Sequence, residues 1–212
     1  MKNGQGIGAG VAHKFIQNGI SKLALVDINS SSLQKVSESL KQTSPYVELL
    51  TASVDVTNEE QVNNAVQKAA TKFGRVDIGV NCAGVGDSGK PTHQLSLRDW
   101  QRTVDINQTG VWLSQRALLQ QMLTQTYGMV SADAKYYAPS GIRINAVCPG
   151  FVYTPMISDA VDSGVFKKEV EGTPIGRVAD VEEITDSILF MASPMSSYVY
   201  GAGLVVDGGY GL

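Results

Sequence analysis

A chain of 212 residues has the length of one α/β domain and is short for two. Its 43% hydrophobic and 17% charged residues suffice for a packed core and exclude disorder, and a formal charge of −3 without a basic run gives nucleic acid or an anionic membrane nothing to hold. No apolar run of about 18 residues is there to cross a bilayer, the first residues lack the apolar stretch of a signal peptide, and two cysteines are too few for a disulfide framework or a four-ligand zinc site.

Short apolar runs alternate with stretches of helical period, the pattern of βαβ units around a parallel sheet. Ile7, Val11, Phe15 and Ile16 predict a helix from the glycines to Asn18-Gly19. Leu23 to Val26 reads as a buried strand ending at Asp27, and a helix follows from about Ser31, where three serines offer N-caps. Val47 to Leu50 is the next strand, and Thr57-Asn58-Glu59-Glu60 is a capping box opening the helix of Val62, Val66 and Phe73. Val76 to Val80 is a further strand, ending at Asn81-Cys82-Ala83-Gly84. A long helix runs from about Leu97 to Leu123, and Ile142 to Val147 is a strand ending at Cys148-Pro149-Gly150. Val181 to Met191 is a helix, and Leu204 to Val206 closes the sheet before the turn Asp207-Gly208-Gly209. The expected fold class is α/β, a Rossmann-like doubly wound parallel sheet in a single domain over residues 1–212. Cys82 and Cys148 are expected as small buried residues of a protein in the reducing cytoplasm, and no metal site is expected.

Gly4, Gly6, Ile7 and Gly8 stand at a helix start, about twenty residues ahead of Asp27. Glycines let the backbone approach a pyrophosphate, and the first-turn amides and the helix dipole stabilise its charge. A carboxylate closing the next strand accepts hydrogen bonds from both ribose hydroxyls and repels a 2′-phosphate, which favours NAD over NADP. A methyltransferase also places an acidic residue after its second strand, so this pair of features alone does not decide the chemistry.

Further motifs follow in order: Gly6-Ile7-Gly8, Asp55-Val56, Asn81-Cys82-Ala83-Gly84, Asn107 within Val104 to Gly110, Ile142 to Gly150, and Asp207-Gly208-Gly209. In this order and approximate spacing they resemble the classical short-chain dehydrogenase/reductase family over nearly the whole chain. The resemblance implies an NAD(P)-dependent oxidoreductase that interconverts a secondary alcohol and a ketone by hydride transfer. It implies that Asp55 bonds the adenine and Val56 packs on it, while Asn81, Ala83 and Gly84 line the adenosine ribose. It further implies that Pro149, Gly150 and Val152 hold the nicotinamide and that Thr154 meets a phosphate or the amide. Read as residues alone, Asp55 could cap a turn and Val152 could be core. Val152, Tyr153, Met156, Ile157, Val161 and Val165 resemble the family's substrate-covering segment and suggest an apolar alcohol or ketone, although a plain amphipathic surface helix has the same pattern. Trp100 and Trp112 fall on the helix used in this family for dimer packing, which implies a homo-oligomer; His13 and His93 read as bystanders.

The family's chemistry also requires a tyrosine that exchanges a proton with the substrate oxygen, a lysine four residues later and a serine from the preceding strand. Asn107 matches the asparagine that holds a water in the proton relay. The eight tyrosines are Tyr46, Tyr127, Tyr136, Tyr137, Tyr153, Tyr198, Tyr200 and Tyr210, and none has a lysine four positions on. Pro149 follows Asn107 by 42 positions, too few for the helix end, strand, loop and further helix that belong there. Tyr127 is the candidate remnant of the catalytic tyrosine; Lys135, eight residues on, lies two helical turns away and too far to replace the usual lysine. At the other end Met1 and Lys2 occupy the family's Thr-Gly positions, so the first strand is expected to be missing too. An incomplete copy of an ordinary dehydrogenase, a non-catalytic dinucleotide-binding protein and a non-functional truncated gene product all fit such a chain.

Overall fold

The computed structural model describes residues 6–86, 90–125 and 134–211. In chain order its elements are α1 (Ile7–Gln17), β1 (Lys22–Asp27), α2 (Ser30–Thr43), β2 (Glu48–Ser53), α3 (Glu59–Phe73), α4 (Leu97–Val104) and α5 (Val111–Leu123), then α6 (Ala134–Tyr137), β3 (Ala146–Pro149), α7 (Ser158–Asp162), α8 (Lys167–Glu171), α9 (Val181–Ala192) and β4 (Gly203–Val206). These gather into two compact units, one spanning Ile20–Val130 and the other Met1–Gly19 with Ser131–Leu212.

In the unit of residues 20–130, β1 pairs with β2 in parallel, from Lys22 opposite Glu48 to Asp27 opposite Ser53. The helix between them is capped by Asn29, whose side chain accepts from the Ser32 N–H at 3.1 Å, so the serines stand inside the helix and do not cap it. Leu33 and Leu40, two turns apart, are the residues α2 buries. The start of α3 also differs from the expected capping box. Asn58 is the cap, accepting from the Gln61 N–H at 3.0 Å, because the Thr57 hydroxyl is engaged by Asp55. Gly74, at φ 86, ends α3 in the left-handed conformation that glycine adopts without strain. Val54, Val62, Ala65 and Ala117 form one core cluster of this unit, and the two alanines let α3 and α5 approach closely.

The expected long helix is present as α4 and α5 joined by one turn of π-helix, Asp105–Gly110. Gly110 is buried there, and a Cβ on it would meet Val56 Cγ2 at 2.7 Å. The strand expected at 76–80 forms no ladder among the described residues: β1 pairs with β2 only, and β3 with β4 only. A strand needs a run of bonded neighbours; here Ile78 alone makes a bridge, so the stretch stays extended without a ladder. Val80 is 38% exposed accordingly.

In the other unit, β3 and β4 pair in parallel from Ala146–Gly203 to Pro149–Val206. The ladder starts later than the expected Ile142, yet Ile142 and Ile144 are wholly buried. Helix α1 packs on α9, and Gly10 makes this possible: a Cβ there would lie 2.5 Å from Val181 Cγ1. Between β3 and α6 the Arg143 guanidinium is buried against the end of α9. It donates to Ser196 Oγ and C=O at 2.7 Å, to Met191 C=O at 2.9 Å and to Ser193 C=O at 3.1 Å. Carbonyls left over at a helix end carry negative charge, so a cation can be buried there although burial itself draws the guanidinium pKa down. Both cysteines are free and exposed, contrary to the expectation of burial: Cys82 lies in the stretch without a ladder, and Cys148 on a two-stranded sheet.

Candidate functional site

Helix α1 begins at Gly6, which has extended backbone (φ −68, ψ 166) and supplies no side-chain cap; the first turn holds no acidic residue. Its leading amides therefore lack a partner from the cap side chain, which is the arrangement that suits an anion. Among the described residues, a Cβ added to Gly6 would meet nothing within 4 Å. Its φ does not require glycine and none of the described residues packs against it, so the missing side chain leaves the helix start open on that side. Gly8 is exposed in the same turn, and Ile7 packs on the core formed by Val152, Val181 and Ile184. Gly4 lies outside the described residues.

In the same unit Gly150 is crowded: a Cβ would fall 2.8 Å from Asp207 Cα, and its N–H donates to the Val206 C=O at 3.1 Å. Asp207 in turn accepts from the Gly209 and Gly211 amides at 2.9 and 3.0 Å, so Asp207-Gly208-Gly209 is the expected turn. Val152 is 4% exposed and its side chain belongs to the core, in line with the second of its two readings. The Tyr153 N–H donates to the Ala179 C=O and the Ala179 N–H to the Phe151 C=O, both at 2.9 Å. In a parallel bridge of this kind Val152's own N–H and C=O point to the opposite edge; only these peptide groups can serve a ligand. Pro149 is exposed, Thr154 is half-buried, and its C=O accepts from the Ile157 and Ser158 amides. Tyr153 donates its hydroxyl to Asp162 at 2.9 Å, tying 151–162 into a loop that Phe151 and Phe166 close with ring centroids 5.2 Å apart. The Asp162 carboxylate that accepts this proton holds the Tyr153 pKa above its ordinary value.

In the unit of residues 20–130, Asp27 ends β1 with its carboxylate exposed, one oxygen accepting from the Asn29 N–H at 2.8 Å. No basic residue follows until Lys35. Asp55 does cap a turn: one oxygen accepts from the Thr57 hydroxyl at 2.7 Å and the Thr57 N–H at 2.9 Å. These bonds, the hydroxyl's first, hold its pKa below the usual carboxylate value. Val56 is half-buried against Gly110. Asn81, Ala83 and Gly84 form an exposed run, and Asn107 reaches its end: the Asn107 Oδ1 accepts from the Val85 N–H and its Nδ2 donates to the Val85 C=O, both at 2.8 Å. Asn107 sits in the π turn, where helical backbone bonding is interrupted, a frequent feature of functional sites. One donor and one acceptor site of its carboxamide are engaged by the loop, which fixes its orientation and leaves the second N–H and the second lone pair as the groups that could hold a water. Tyr127 lies outside the described residues, and Lys135 is exposed.

Among the described residues no group of His, Cys, Asp and Glu could hold a metal, and no helix is long and apolar enough to cross a membrane. Gly10 was not singled out by the sequence, although a glycine inside a helix costs about 1 kcal/mol against alanine and so signals a close packing partner.

Residues 3–132 match the family model described as short chain dehydrogenase, and residues 125–211 the model described as Enoyl-(Acyl carrier protein) reductase. The chain is 31% identical to the short-chain dehydrogenase fogB of Aspergillus ruber, covering 97% of this chain and 93% of the relative. That alignment runs over 257 positions, 45 more than the 212 residues of this chain. Among solved structures, levodione reductase superposes with a TM-score of 0.89 at 28% identity, covering 97% of this chain and 93% of that one. ElxO with NADP bound superposes at 0.85 with 26% identity, covering 98% and 95%. The dispersed motifs, the helix start, the aspartate at the end of β1 and these likenesses lead to one family: the chain belongs to the short-chain dehydrogenases, oxidoreductases of Rossmann-like α/β fold.

Proposed function

We propose that this chain carries the cofactor half of an NAD-dependent oxidoreductase interconverting a secondary alcohol and a ketone, and that in its present form it binds NAD without turning it over. The observation that carries the cofactor reading is the start of α1 without a side-chain cap, with none of the described residues packed against Gly6. Gly4, Gly6, Ile7 and Gly8 would take the pyrophosphate, Asp27 the ribose hydroxyls, and Asp55 and Val56 the adenine. Asn81, Ala83 and Gly84 would line the adenosine ribose, while Pro149, Gly150, the Val152 peptide groups and Thr154 would hold the nicotinamide end. Bound NAD accepts or supplies the hydride. Asp27, with no nearby basic residue in sequence to welcome a 2′-phosphate, favours NAD, although the relative ElxO holds NADP. Residues 1–212 then act as one dinucleotide-binding domain, with a small, apolar alcohol or ketone as substrate and a cytoplasmic setting; intact family members would form homo-oligomers.

Turnover needs an acid that can exchange a proton with the substrate oxygen. No tyrosine is followed four residues on by lysine, and Tyr127 with Asn107 is all that remains of the relay. Internal shortening between Asn107 and Pro149 accounts for this better than point replacement. It is supported by the 45 excess alignment positions and by the unladdered stretch at 76–80. In a doubly wound sheet that stretch would have a strand on each side. The test is NADH binding by energy transfer from Trp100 and Trp112, together with turnover on a panel of apolar secondary alcohols and ketones. Binding without turnover is expected, and Asp27→Ala should bring NAD and NADP affinities within a few-fold of each other. Measurable turnover would overturn the catalytic part, and absence of binding would leave the non-functional gene product.

A further inference from the structure

The stretch 76–85 carries Asn81, Ala83 and Gly84 and, among the described residues, has a single bridge at Ile78 and no ladder, so its two ends are held by other means. Two carboxamides hold them, one at each end. Val76 donates its N–H to Gln125 Oε1 at 2.8 Å and accepts from Gln125 Nε2 at 2.6 Å, and Val85 is bonded by Asn107 in the same two-point manner. Midway, Gly79 lies against Leu118, where a Cβ would fall 2.5 Å from Leu118 Cδ1.

Residues 107, 118 and 125 are separated by 11 and 7 positions, close to three and two helical turns, so they form one stripe. The stripe covers roughly 27 Å at 1.5 Å per residue, and the nine extended steps from 76 to 85 cover roughly 30 Å. The two lengths match, so both ends can be pinned at once. A carboxamide presents a donor and an acceptor as a peptide group does. Gln125, just beyond the end of α5 and half-buried, is further oriented by Gln121, whose Nε2 donates to its Oε1 at 3.0 Å. The charged neighbours Arg75 and Asp77 are bonded to each other at 2.6 Å.

We propose that Gln125 is a positioning residue for the dinucleotide, standing in for a strand neighbour and setting the line of the segment that meets the adenosine ribose. This rests on the reading that 81–84 binds the cofactor. The test compares the full-length parent with Gln125→Leu and Gln125→Glu, measuring NAD and ADP-ribose affinity by calorimetry well below each protein's melting temperature. Gln125→Leu is expected to weaken both ligands about tenfold, the equivalent of one hydrogen bond of ~1.4 kcal/mol. In Gln125→Glu the carboxylate accepts from the Val76 N–H but has no proton for the Val76 C=O, whereas the protonated acid has one. Affinity should therefore be weak at pH 8 and return toward the parent's near pH 5, a recovery that the parent does not show.

A purely structural role would lower the melting temperature of both variants while the folded protein bound NAD with the parent's affinity and no added pH dependence; that result overturns the proposal. Should Gln125→Leu fail to fold, the pH curve of Gln125→Glu decides alone. If the parent itself binds neither ligand, the cofactor reading falls first and this inference with it.

Discussion

The two units hold their candidate residues by different means. In the unit formed by residues 6–19 and 134–211, the site residues are fixed by backbone: Gly150 is trapped against Asp207, and Val152 is anchored in the core beside a bridge to Ala179. In the unit of residues 20–125, the corresponding run 76–85, exposed over 81–84, is held by side chains, Asn107 at Val85 and Gln125 at Val76. Backbone anchoring couples site geometry to global stability, whereas side-chain anchoring lets affinity fail while the fold persists. The difference teaches which substitutions should separate the two properties.

The largest effect is expected where anchoring and folding coincide most. Arg143→Met should cost about 3 kcal/mol in denaturant unfolding, because it removes the charged donor that joins the Met191, Ser193 and Ser196 carbonyls and leaves them the Ser196 hydroxyl and the Val199 N–H. A loss under ~1 kcal/mol would show that the guanidinium is not needed there.

A pair of glycine substitutions sharpens the contrast. Gly150→Ala forces a Cβ to within 2.8 Å of the Asp207 backbone and should cost about 1–3 kcal/mol of stability. Gly6→Ala meets none of the described residues and should leave unfolding within ~0.5 kcal/mol of the parent while weakening NADH binding at least tenfold. Equal melting losses from both would break the distinction between a crowded glycine and an open one.

The smallest effect is a pH response at the start of α9. Glu183 accepts from Arg177 at 2.7 Å, twice over, and from the Asp180 N–H at 2.9 Å, which together bring its pKa from 4.5 down to about 2. A depressed carboxylate contributes stability above its unfolded pKa and loses it as pH falls through the folded value, here between pH 4.5 and about 2. Both partners are roughly half exposed, so the contribution is about 1 kcal/mol or less. Glu183→Gln should flatten the fall in melting temperature across that window, and an unchanged slope would remove the pair from the account.

Much of the architecture was legible in the sequence because its determinants are local. The period of Ile7, Val11, Phe15 and Ile16 fixes α1, and Leu23 to Val26 with its terminal Asp27 fixes β1. The ordered motifs carry the family because each is a short local run. What could not be read depends on neighbours distant in sequence. Val76 to Val80 has the composition of a strand, yet laddering is decided by what lies beside it. The caps of α2 and α3 shifted to Asn29 and Asn58, since serine, threonine and asparagine compete for one position and a nearby Asp55 engaged Thr57. Gln125 looked like one more polar residue at a helix end; its role rests on Val76, 49 positions away.

Asn145 makes a third bond of the same design, donating to the Val199 C=O at 2.8 Å and accepting from the Ala202 N–H at 3.0 Å. A molecule that asks carboxamides to imitate peptide groups inherits their perishability. Hydrolysis of any one of them deletes the donor and sets a negative charge against a carbonyl oxygen. Heat ages such residues before it breaks the main chain, so a stored sample would drift in its grip on ligand while its backbone stayed whole.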